Sequence, residues 1–154
     1  MLHIGIDDTD SVKGGCTTWL ATEIIKELSE FDIIGNPRLV RLNPNVPWKT
    51  RGNGAVSLIF GKGTGSKQII GKFNNLDIFA FEKGLEVVYD KKIILKRIME
   101  IVSKKSHKDS QPGVVISDVV LPEGLYWQGV TSIVSEEILE EALQGTVNSG
   151  LRGS

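Results

Sequence analysis

Residues 4–18 read IGIDDTDSVKGGCTT, and within this stretch an apolar run ends at a cluster of aspartates. The overlapping residues 2–6, LHIGI, have the short apolar pattern of a strand. Beyond the loop, apolar side chains recur at the three- and four-residue spacing of a helix, at Leu20, Ala21, Ile24, Ile25 and Leu28. The sequence therefore predicts a strand, a polar loop and a helix as the first structural unit.

The loop begins with three carboxylates at the exit of the predicted strand, Asp7, Asp8 and Asp10, called here the acidic cluster. Carboxylates held this close repel one another unless a cation or a proton relieves the repulsion. Mg²⁺ is a suitable partner, because it binds one or two carboxylates together with waters and substrate phosphates. We expect the acidic cluster to bind metal and to be catalytic.

A phosphate-binding turn is predicted directly after the acidic cluster. Gly14 and Gly15 allow the backbone to turn tightly, and Thr17 and Thr18 lead into the helix. Unpaired amides and the dipole at a helix N terminus favour an anion, and the threonine hydroxyls add donors. The alternative is structural: an aspartate or serine caps the turn, a threonine caps the helix, and the other carboxylates are solvated.

A second candidate site is the loop NPNVPWKTRGNG at residues 43–54, called here the basic loop. Lys49, Arg51 and Asn53 are candidates for binding the triphosphate of a nucleotide. Candidates for RNA are Arg41, just before the loop, together with Trp48 and Lys49, since a tryptophan face can stack on a base. A solvated hairpin loop with the tryptophan tucked beneath it explains the pattern equally well.

A third candidate is HKDSQPG at residues 107–113. Asp109 would add an acidic metal ligand, and His107 a side chain that titrates near neutral pH. A polar loop before a strand is the commoner meaning of such a segment.

The rest of the chain alternates predicted strands and helices. Strands are expected at residues 38–42 and 55–60 and from Val114, and helices at residues 89–105 and 135–145. Residues 125–134 fit either a helix or a strand, and GKGTGSK at residues 61–67 is interpreted as a flexible turn because it departs from the Walker pattern. This order predicts an α/β or α+β fold, a mixed sheet covered by helices.

The composition is that of an ordinary soluble domain, with 154 residues, 40% hydrophobic and 24% charged. The formal net charge of −1 provides no global basic field, so any RNA contact must be a local patch. Cys16 is the one cysteine, which excludes an internal disulfide, and neither a secretory leader nor a long apolar run is present. We therefore expect a cytoplasmic protein without a membrane segment.

Three motifs occur in a recognisable order: GIDDTDSVKGGCTTWLA at residues 5–21, PRLVRLNPNVPWKTRGNGAVSL at 37–58 and HKDSQPGVVI at 107–116. They resemble the N-terminal part of the archaeal agmatinylcytidine synthetases, which make agmatidine at the wobble position of a minor isoleucine tRNA. The first two motifs are long and specific, and the third is weaker.

The resemblance implies a kinase-like catalytic domain that uses ATP and Mg²⁺ to phosphorylate the C2 carbonyl oxygen of the wobble cytidine. The amine of agmatine then displaces the phosphate. By the same resemblance, the acidic cluster serves metal and phosphate chemistry. Lys49, Arg51 and Asn53 lie near nucleotide or RNA, and Thr17 is the threonine that becomes autophosphorylated.

Members of this family are longer enzymes that add a ferredoxin-like region, an OB-like RNA-binding domain and a zinc ribbon. Residues 1–154 are expected to be a truncated N-terminal catalytic region of such an enzyme, without the OB-like and zinc-ribbon domains and with no internal boundary evident. ATP, agmatine and the minor isoleucine tRNA are the implied partners.

Two other functions remain open. An ATP-dependent enzyme that transfers phosphate to a small molecule would keep the acidic cluster but would not need Trp48 and the basic loop for RNA. A non-catalytic RNA-binding or assembly module would use the aspartates only as turn caps. Magnesium-dependent ATP binding and salt-sensitive tRNA binding distinguish these possibilities.

Overall fold

The computed structural model describes residues 1–50, 52–142 and 147–150. Its elements follow in the order β1 (Leu2–Asp7), α1 (Thr17–Glu27), β2 (Asp32–Ile34), β3 (Arg38–Arg41), β4 (Gly54–Phe73), β5 (Leu76–Leu85), α2 (Lys91–Lys105), β6 (Gly113–Ser117), α3 (Glu123–Thr131), α4 (Glu136–Ala142) and β7 (Val147–Gly150). The strand, loop and helix expected at the start of the chain are confirmed as β1 and α1.

Within the described residues, seven strands form one sheet in the order β2-β5-β4-β1-β6-β7, and β3 additionally pairs with β4. The central strand β1 is antiparallel to both neighbours, with Ile4 opposite Leu58 of β4 and Ile116 of β6. β2 runs parallel to β5. The sheet is therefore mixed, and the predicted α+β class with helices covering a sheet is confirmed.

The hydrophobic core contains one face of β1 together with α1 and α2. Along β1 the even-numbered side chains are buried, and α1 and α2 add stripes at helical spacing: Leu2, Ile4, Ile6, Leu20, Ile24, Leu28, Ile94, Ile98 and Val102. Since strand side chains alternate between faces, the odd-numbered residues of β1 project from the opposite face of the sheet. Asp7, the last residue of β1, therefore points away from the core.

The helix α2 ends at Lys105 as predicted and begins at Lys91, two residues later than expected, because Asp90 is its N-cap. The carboxylate of Asp90 accepts hydrogen bonds from the backbone N–H groups of Lys92, at 2.8 Å, and Ile93, at 3.2 Å, and so caps the first turn. Lys104 and Lys105 occupy the last turn, where a positive charge is favourable. The packing stripe of this helix then places the following loop, residues 106–112, beside the exit of β1.

The interpretation of residues 61–67 as a flexible turn is wrong, because they lie inside β4. This strand is 20 residues long and pairs with β5 from Lys62 to Phe73. The pairing shifts register between Thr64 and Lys67, and Gly65 there adopts a φ of +78°. Glycines that look like turn signals in the sequence thus accommodate a bulge, which only the partner strand reveals.

The segment that fitted either a helix or a strand, residues 125–134, is largely helical and belongs to α3. The next helix, α4, follows Ser135 as predicted, and the Ser135 hydroxyl accepts a hydrogen bond from the backbone N–H of Ile138 at 3.4 Å. The predicted helix end at Gly145 lies outside the described residues. Across the described ranges, no helix is long and apolar enough to cross a membrane.

Candidate active site

A cleft of about 950 Å³ opens at the exit of β1. Its walls come from the end of β1, the start of α1, the basic loop and the connection from α3 to α4. Nine of the side chains predicted as site residues line it together: Asp7, Asp8, Asp10, Thr17, Thr18, Arg41, Trp48, Lys49 and Asn53. The fold thus unites the acidic cluster with the basic loop, two segments more than 30 residues apart in the chain.

The carboxylate of Asp7 lies in surroundings that disfavour its charged form. Burial raises the pKa of Asp7 above its ordinary value, and repulsion from Asp8 and Asp10 raises it further. A hydrogen bond of 2.7 Å from the backbone N–H of Asp8 to Asp7 Oδ1 opposes this shift. A bound cation would relieve the same repulsion, because it favours the ionised form of each carboxylate.

Asp8 is held by groups from two different loops. Its Oδ1 accepts a hydrogen bond from the hydroxyl of Thr50 at 3.3 Å, and its Oδ2 accepts one from the backbone N–H of Gln111 at 3.1 Å. The same Thr50 hydroxyl lies 3.4 Å from the backbone oxygen of Asp10. Asp8 also has a φ of +48°, which places it in the left-handed region. These contacts fix the direction in which the Asp8 carboxylate points.

The N terminus of α1 presents polar groups to the cleft through Cys16, Thr17 and Thr18. The Cys16 thiol lies 3.0 Å from the Thr18 hydroxyl, and its pKa is lowered by that hydroxyl first and also by the backbone N–H groups of Trp19 and Thr18. Donors that favour a thiolate also favour an anionic ligand. This end of the helix therefore has the chemistry of an anion-binding site.

Thr17 has a buried hydroxyl. Its side chain is 8% exposed, and its Oγ1 accepts a hydrogen bond of 3.0 Å from the hydroxyl of Thr9, which is itself buried. Thr18, by contrast, is exposed. Both threonine hydroxyls have a side-chain partner, Thr9 for Thr17 and Cys16 for Thr18, but of the two only the Thr17 residue is buried.

The basic loop is braced by several of the residues predicted to bind ligands. Lys49 Nζ donates to the backbone oxygens of Pro44 and Val46, the latter at 3.3 Å. Asn53 Nδ2 donates to the backbone oxygen of Asn43 at 2.6 Å. Lys49 and Asn53 therefore hold the shape of the loop as well as lining the cleft.

Two other predicted residues flank this bracing. Arg41 Nη1 donates to the backbone oxygen of Gly52 at 3.3 Å. Trp48 is 74% exposed, so the alternative in which it tucks beneath the loop is wrong. Arg51 lies outside the described residues.

Three predicted residues do not line the cleft. Asp109 forms an ion pair of 2.7 Å with Lys13, which lowers the pKa of Asp109. Gly14 packs against the His107 ring. Gly15, with a φ of +90°, lies against Asp10 so closely that a Cβ atom would be 2.9 Å from the Asp10 Cα. The two glycines therefore shape the loop of the acidic cluster and leave the cleft surface to other residues.

The far wall of the cleft was not found from the sequence. It consists mainly of Val115 of β6 and the connection from α3 to α4, including Gly129, Ser132, Ile133, Val134 and Leu139. The backbone N–H of Asn43 donates to the oxygen of Gly129 at 3.2 Å and joins this wall to the basic loop. A cleft lined by both apolar and charged side chains suits a ligand with a flat or alkyl part and an ionic part.

In the part of the chain that the structure describes, no group of three or more His, Cys, Asp and Glu side chains is placed so that it could hold a metal ion. The acidic cluster remains a set of oxygen donors at the mouth of a cleft.

Comparison with known families identifies the chain. The family model described as the TiaS TCKD domain matches residues 3–149. The chain belongs to the TiaS TCKD domain family. Two TiaS relatives, each named as a 2-agmatinylcytidine synthetase of an isoleucine tRNA, come from Thermoplasma volcanium and Thermococcus sibiricus. The first is 38% identical over 97% of this chain and 34% of its own length. The second is 38% identical over 91% of this chain and 30% of its own length.

Solved TiaS structures have the same fold. A crystal structure of TiaS in complex with an isoleucine tRNA and ATP matches 99% of this chain and 32% of its own chain, with a TM-score of 0.66 and 27% identity. A crystal structure of apo TiaS matches 97% of this chain and 31% of its own, with a TM-score of 0.66 and 25% identity. The chain thus spans about a third of the TiaS proteins it matches.

The motifs that carry the resemblance to TiaS converge on the cleft. Residues 5–21 supply the acidic cluster and the start of α1, and residues 37–58 supply the basic loop. Residues 107–116 supply the Gln111 N–H that binds Asp8, as well as Gly113 and Val115 in the wall. Segments far apart in the sequence therefore meet at one site in this TiaS domain.

Proposed function

We propose that this chain is the ATP-binding catalytic domain of an isoleucine-tRNA 2-agmatinylcytidine synthetase. Its relatives with that activity in their names are about three times as long, and the function proposed here is the nucleotide-dependent part of their reaction. Membership of the TiaS family supports the proposal. A relative's crystal structure, described as a complex of TiaS with an isoleucine tRNA and ATP, supports ATP and tRNA as ligands.

One observation carries the proposal: a single cleft joins three carboxylates, a helix N terminus and a loop with cationic side chains. A triphosphate requires neutralisation by cations and fixed donors, whereas the carboxylates require a cation of their own. A magnesium–nucleotide complex satisfies both sides. A turn-capping role alone would not require cationic and acidic groups to face one cavity.

The oxygen donors fit Mg²⁺ bound together with nucleotide. Mg²⁺ takes one or two carboxylates and completes its shell with phosphate oxygens and waters, so the protein need not supply three carboxylates at ligand distance. We propose Asp8 and Asp7 as the carboxylates nearest the metal and Asp10 as a further acidic neighbour. When bound, Mg²⁺ supplies charge neutralisation of the triphosphate.

The proposed reaction begins with transfer of a phosphoryl group from ATP to the C2 carbonyl oxygen of the wobble cytidine; the P–O bond that joined this group to ATP breaks, and the rest of the nucleotide leaves with that bridging oxygen. The primary amine of agmatine then attacks C2 and loses a proton to solvent, the bond from C2 to the phosphorylated oxygen breaks, and phosphate leaves with that oxygen. In the first step the N–H groups at the start of α1 bind phosphate oxygens, and Lys49 adds positive charge. Apolar side chains around Ile133 line the same cleft beside these groups.

We propose Thr17 as the autophosphorylated residue. It lines the same cleft as the acidic cluster. Its Oγ1 accepts a hydrogen bond from the Thr9 hydroxyl, which leaves the Thr17 proton and a second lone pair available for phosphoryl transfer. Mass spectrometry after incubation with MgATP tests this assignment: phosphate on Thr17 supports it, and phosphate confined to Thr18 contradicts it.

The RNA contact is proposed at the mouth of the cleft. The exposed ring of Trp48 offers a stacking face, and Arg41 and Lys49 offer cations beside it. This local patch is compatible with a net charge of −1. Because the proposed substrate is a tRNA, we place the protein in the cytoplasm.

Titration calorimetry with MgATP tests the nucleotide site. We expect the wild-type chain to bind and Asp8→Asn to lose at least a hundredfold in affinity. A pair of unit charges 4 Å apart contributes about 4 kcal/mol at an effective dielectric constant of 20. Asp77→Asn is the matched control, because Asp77 is exposed on β5 and pairs with Lys72 outside the cleft.

Equal affinities for wild type and Asp8→Asn would contradict the assignment of the acidic cluster. Absence of MgATP binding in all three proteins would favour the non-catalytic RNA-binding module.

The proposed RNA contact is tested by fluorescence anisotropy with the minor isoleucine tRNA at two salt concentrations. Arg41→Ala is expected to weaken binding and Arg38→Ala, on the same strand but outside the cleft, to preserve it. Salt-insensitive binding, or none, would favour an enzyme that acts on a small molecule.

A further inference from the structure

The side chain of His107 joins the loop of the acidic cluster to the loop that precedes β6. Its Nδ1 lies 2.9 Å from the hydroxyl oxygen of Ser11 and 3.2 Å from the backbone nitrogen of Asp109. Its own backbone N–H donates to the oxygen of Thr9 at 3.0 Å. One residue therefore contacts both sides of the junction between residues 8–15 and 106–112.

The direction of these hydrogen bonds follows from the donors present. The Asp109 backbone N–H donates to His107 Nδ1, so this ring nitrogen acts as an acceptor. The Ser11 oxygen already accepts a hydrogen bond from the Lys13 backbone N–H at 3.1 Å, which leaves its proton free to point at Nδ1. The arrangement thus makes Nδ1 the acceptor for both donors and leaves the ring proton on Nε2.

The contacts of His107 fix a turn that has little room to rearrange. Ser11 is 6% exposed, and its backbone pairs with Gly14 through hydrogen bonds of 2.7 and 3.2 Å. Gly14 faces the imidazole, and a Cβ atom there would make ordinary contact with His107 Cδ2 at 3.5 Å. Loss of the imidazole would leave the buried Ser11 hydroxyl without its acceptor.

The same junction holds the acidic cluster. Asp8 and Asp10 lie three residues and one residue before Ser11, and the backbone N–H of Gln111, four residues after His107, binds Asp8 Oδ2 at 3.1 Å. A shift of either loop therefore changes the direction of the Asp8 carboxylate. Because the Michaelis geometry of phosphoryl transfer depends on fixed charges, such a shift would weaken nucleotide binding.

We propose that His107 is a positioning residue that holds the acidic cluster in its nucleotide-binding arrangement by accepting hydrogen bonds at Nδ1 from both loops. The expected effect of His107 on nucleotide affinity rests on the proposed function. Its expected effect on the conformation of residues 8–15 rests on the loop contacts alone. It requires no direct contact between His107 and ATP.

Three variants test the proposal by MgATP titration: His107→Ala, His107→Asn and Lys108→Ala. His107→Ala is expected to weaken binding about tenfold, the factor expected when a hydrogen bond that fixes a buried turn is lost. His107→Asn is expected to recover most of the affinity, because its amide oxygen reaches about the position of Nδ1 and accepts the same donors. Lys108→Ala controls for a change on the same loop, because Lys108 is exposed.

Amide spectra of isotopically labelled protein provide a readout that does not depend on nucleotide. His107→Ala is expected to shift the resonances of Ser11, Lys13 and Gln111 and to speed their hydrogen exchange, and His107→Asn to restore them. Ring nitrogen spectra of the wild type are expected to show an unprotonated Nδ1. If His107→Ala does not fold, Ser11→Ala removes the hydroxyl partner while the ring remains.

The possible outcomes separate the two proposals. Unchanged amide spectra together with unchanged MgATP affinity in His107→Ala would overturn the positioning role while the nucleotide site stands. Shifted spectra without any MgATP binding in the wild type would refute the proposed function and leave the structural role of His107 in place. Equal loss in His107→Ala and His107→Asn would contradict the assignment to Nδ1.

Discussion

Replacing Thr50 with valine removes one hydroxyl from the cleft with little change in side-chain shape. The Thr50 hydroxyl lies 3.3 Å from Asp8 Oδ1 and 3.4 Å from the backbone oxygen of Asp10. A hydroxyl has one proton, so it donates to only one of these acceptors at a time. Thr50→Val therefore removes a single shared hydrogen bond, and with it one of the two contacts that hold the Asp8 carboxylate.

The expected magnitude follows from the geometry of this contact. Hydroxyl hydrogen bonds are usually about 2.7–2.8 Å long, so one of 3.3 Å is weak even with a charged acceptor. We assign it about 1 kcal/mol, the value of an ordinary neutral hydrogen bond and below the usual range for one to a charged group, because the contact is long. That free energy corresponds to a roughly fivefold weakening of MgATP binding. The fold should remain intact, because the backbone N–H of Gln111 still binds the other Asp8 oxygen.

Titration calorimetry of the Thr50→Val chain with MgATP measures this effect directly. Thr64→Val is the matched control, because Thr64 lies on β4 outside the cleft. An affinity equal to that of the wild type would refute the claim that Thr50 orients Asp8. A loss greater than a hundredfold would also refute it, because a loss of that size requires Thr50 to contact the metal or the nucleotide itself.

Three further predictions concern single positions. Asp7→Asn should unfold at a higher urea concentration than the wild type at neutral pH while losing MgATP affinity. Burial raises the folded-state pKa of Asp7, so the stability of the wild type falls as pH rises through that pKa, and the variant should lack this fall. Gly15→Ala should lower the free energy of unfolding by about 1–3 kcal/mol, measured by urea denaturation, because an alanine there is strained at a φ of +90° and its Cβ meets Asp10. Asp109→Asn should bind MgATP within about twofold of the wild type, since this exposed carboxylate pairs with Lys13; a hundredfold loss would instead support the metal-ligand prediction for Asp109.

The parts of the fold that hydrophobic periodicity determines were predictable from the sequence. The alternating pattern of β1 and the helical stripes of α1 and α2 each report burial on one face, and each element appears where expected. The extension of β4 through residues 61–67 was not predictable. It depends on pairing with β5, and the sequence of β4 alone contains no record of its partner.

The charged residues of the candidate site were predictable from the sequence. The residues that act through their position in the fold were not. The acidic cluster and the basic loop stand out as unusual sets of charges, and both line the cleft. Thr50 and Gln111 act through one hydroxyl and one backbone N–H, groups that nearly every segment contains. The wall near Ile133 was missed because residues 125–134 have no distinct periodicity, although an apolar segment between a predicted strand and a predicted helix is a usable signal.

The hydrogen bonds within the basic loop are a second feature that the charges of its side chains did not predict. Lys49 was predicted as a ligand-binding cation, yet its ammonium also donates to the backbone oxygens of Pro44 and Val46. Asn53 binds the oxygen of Asn43 in the same way and adopts a φ of +52°. A loop with several prolines and glycines needs such internal donors to keep one shape, because its backbone oxygens have no strand partner.

A crystal structure of this chain with Mg²⁺ and a non-hydrolysable ATP analogue is the most direct test of the account. We expect the metal to be coordinated by Asp8 and phosphate oxygens, with the triphosphate against the first turn of α1. A nucleotide bound elsewhere, with Asp7, Asp8 and Asp10 contacting only water, would contradict the proposed active site.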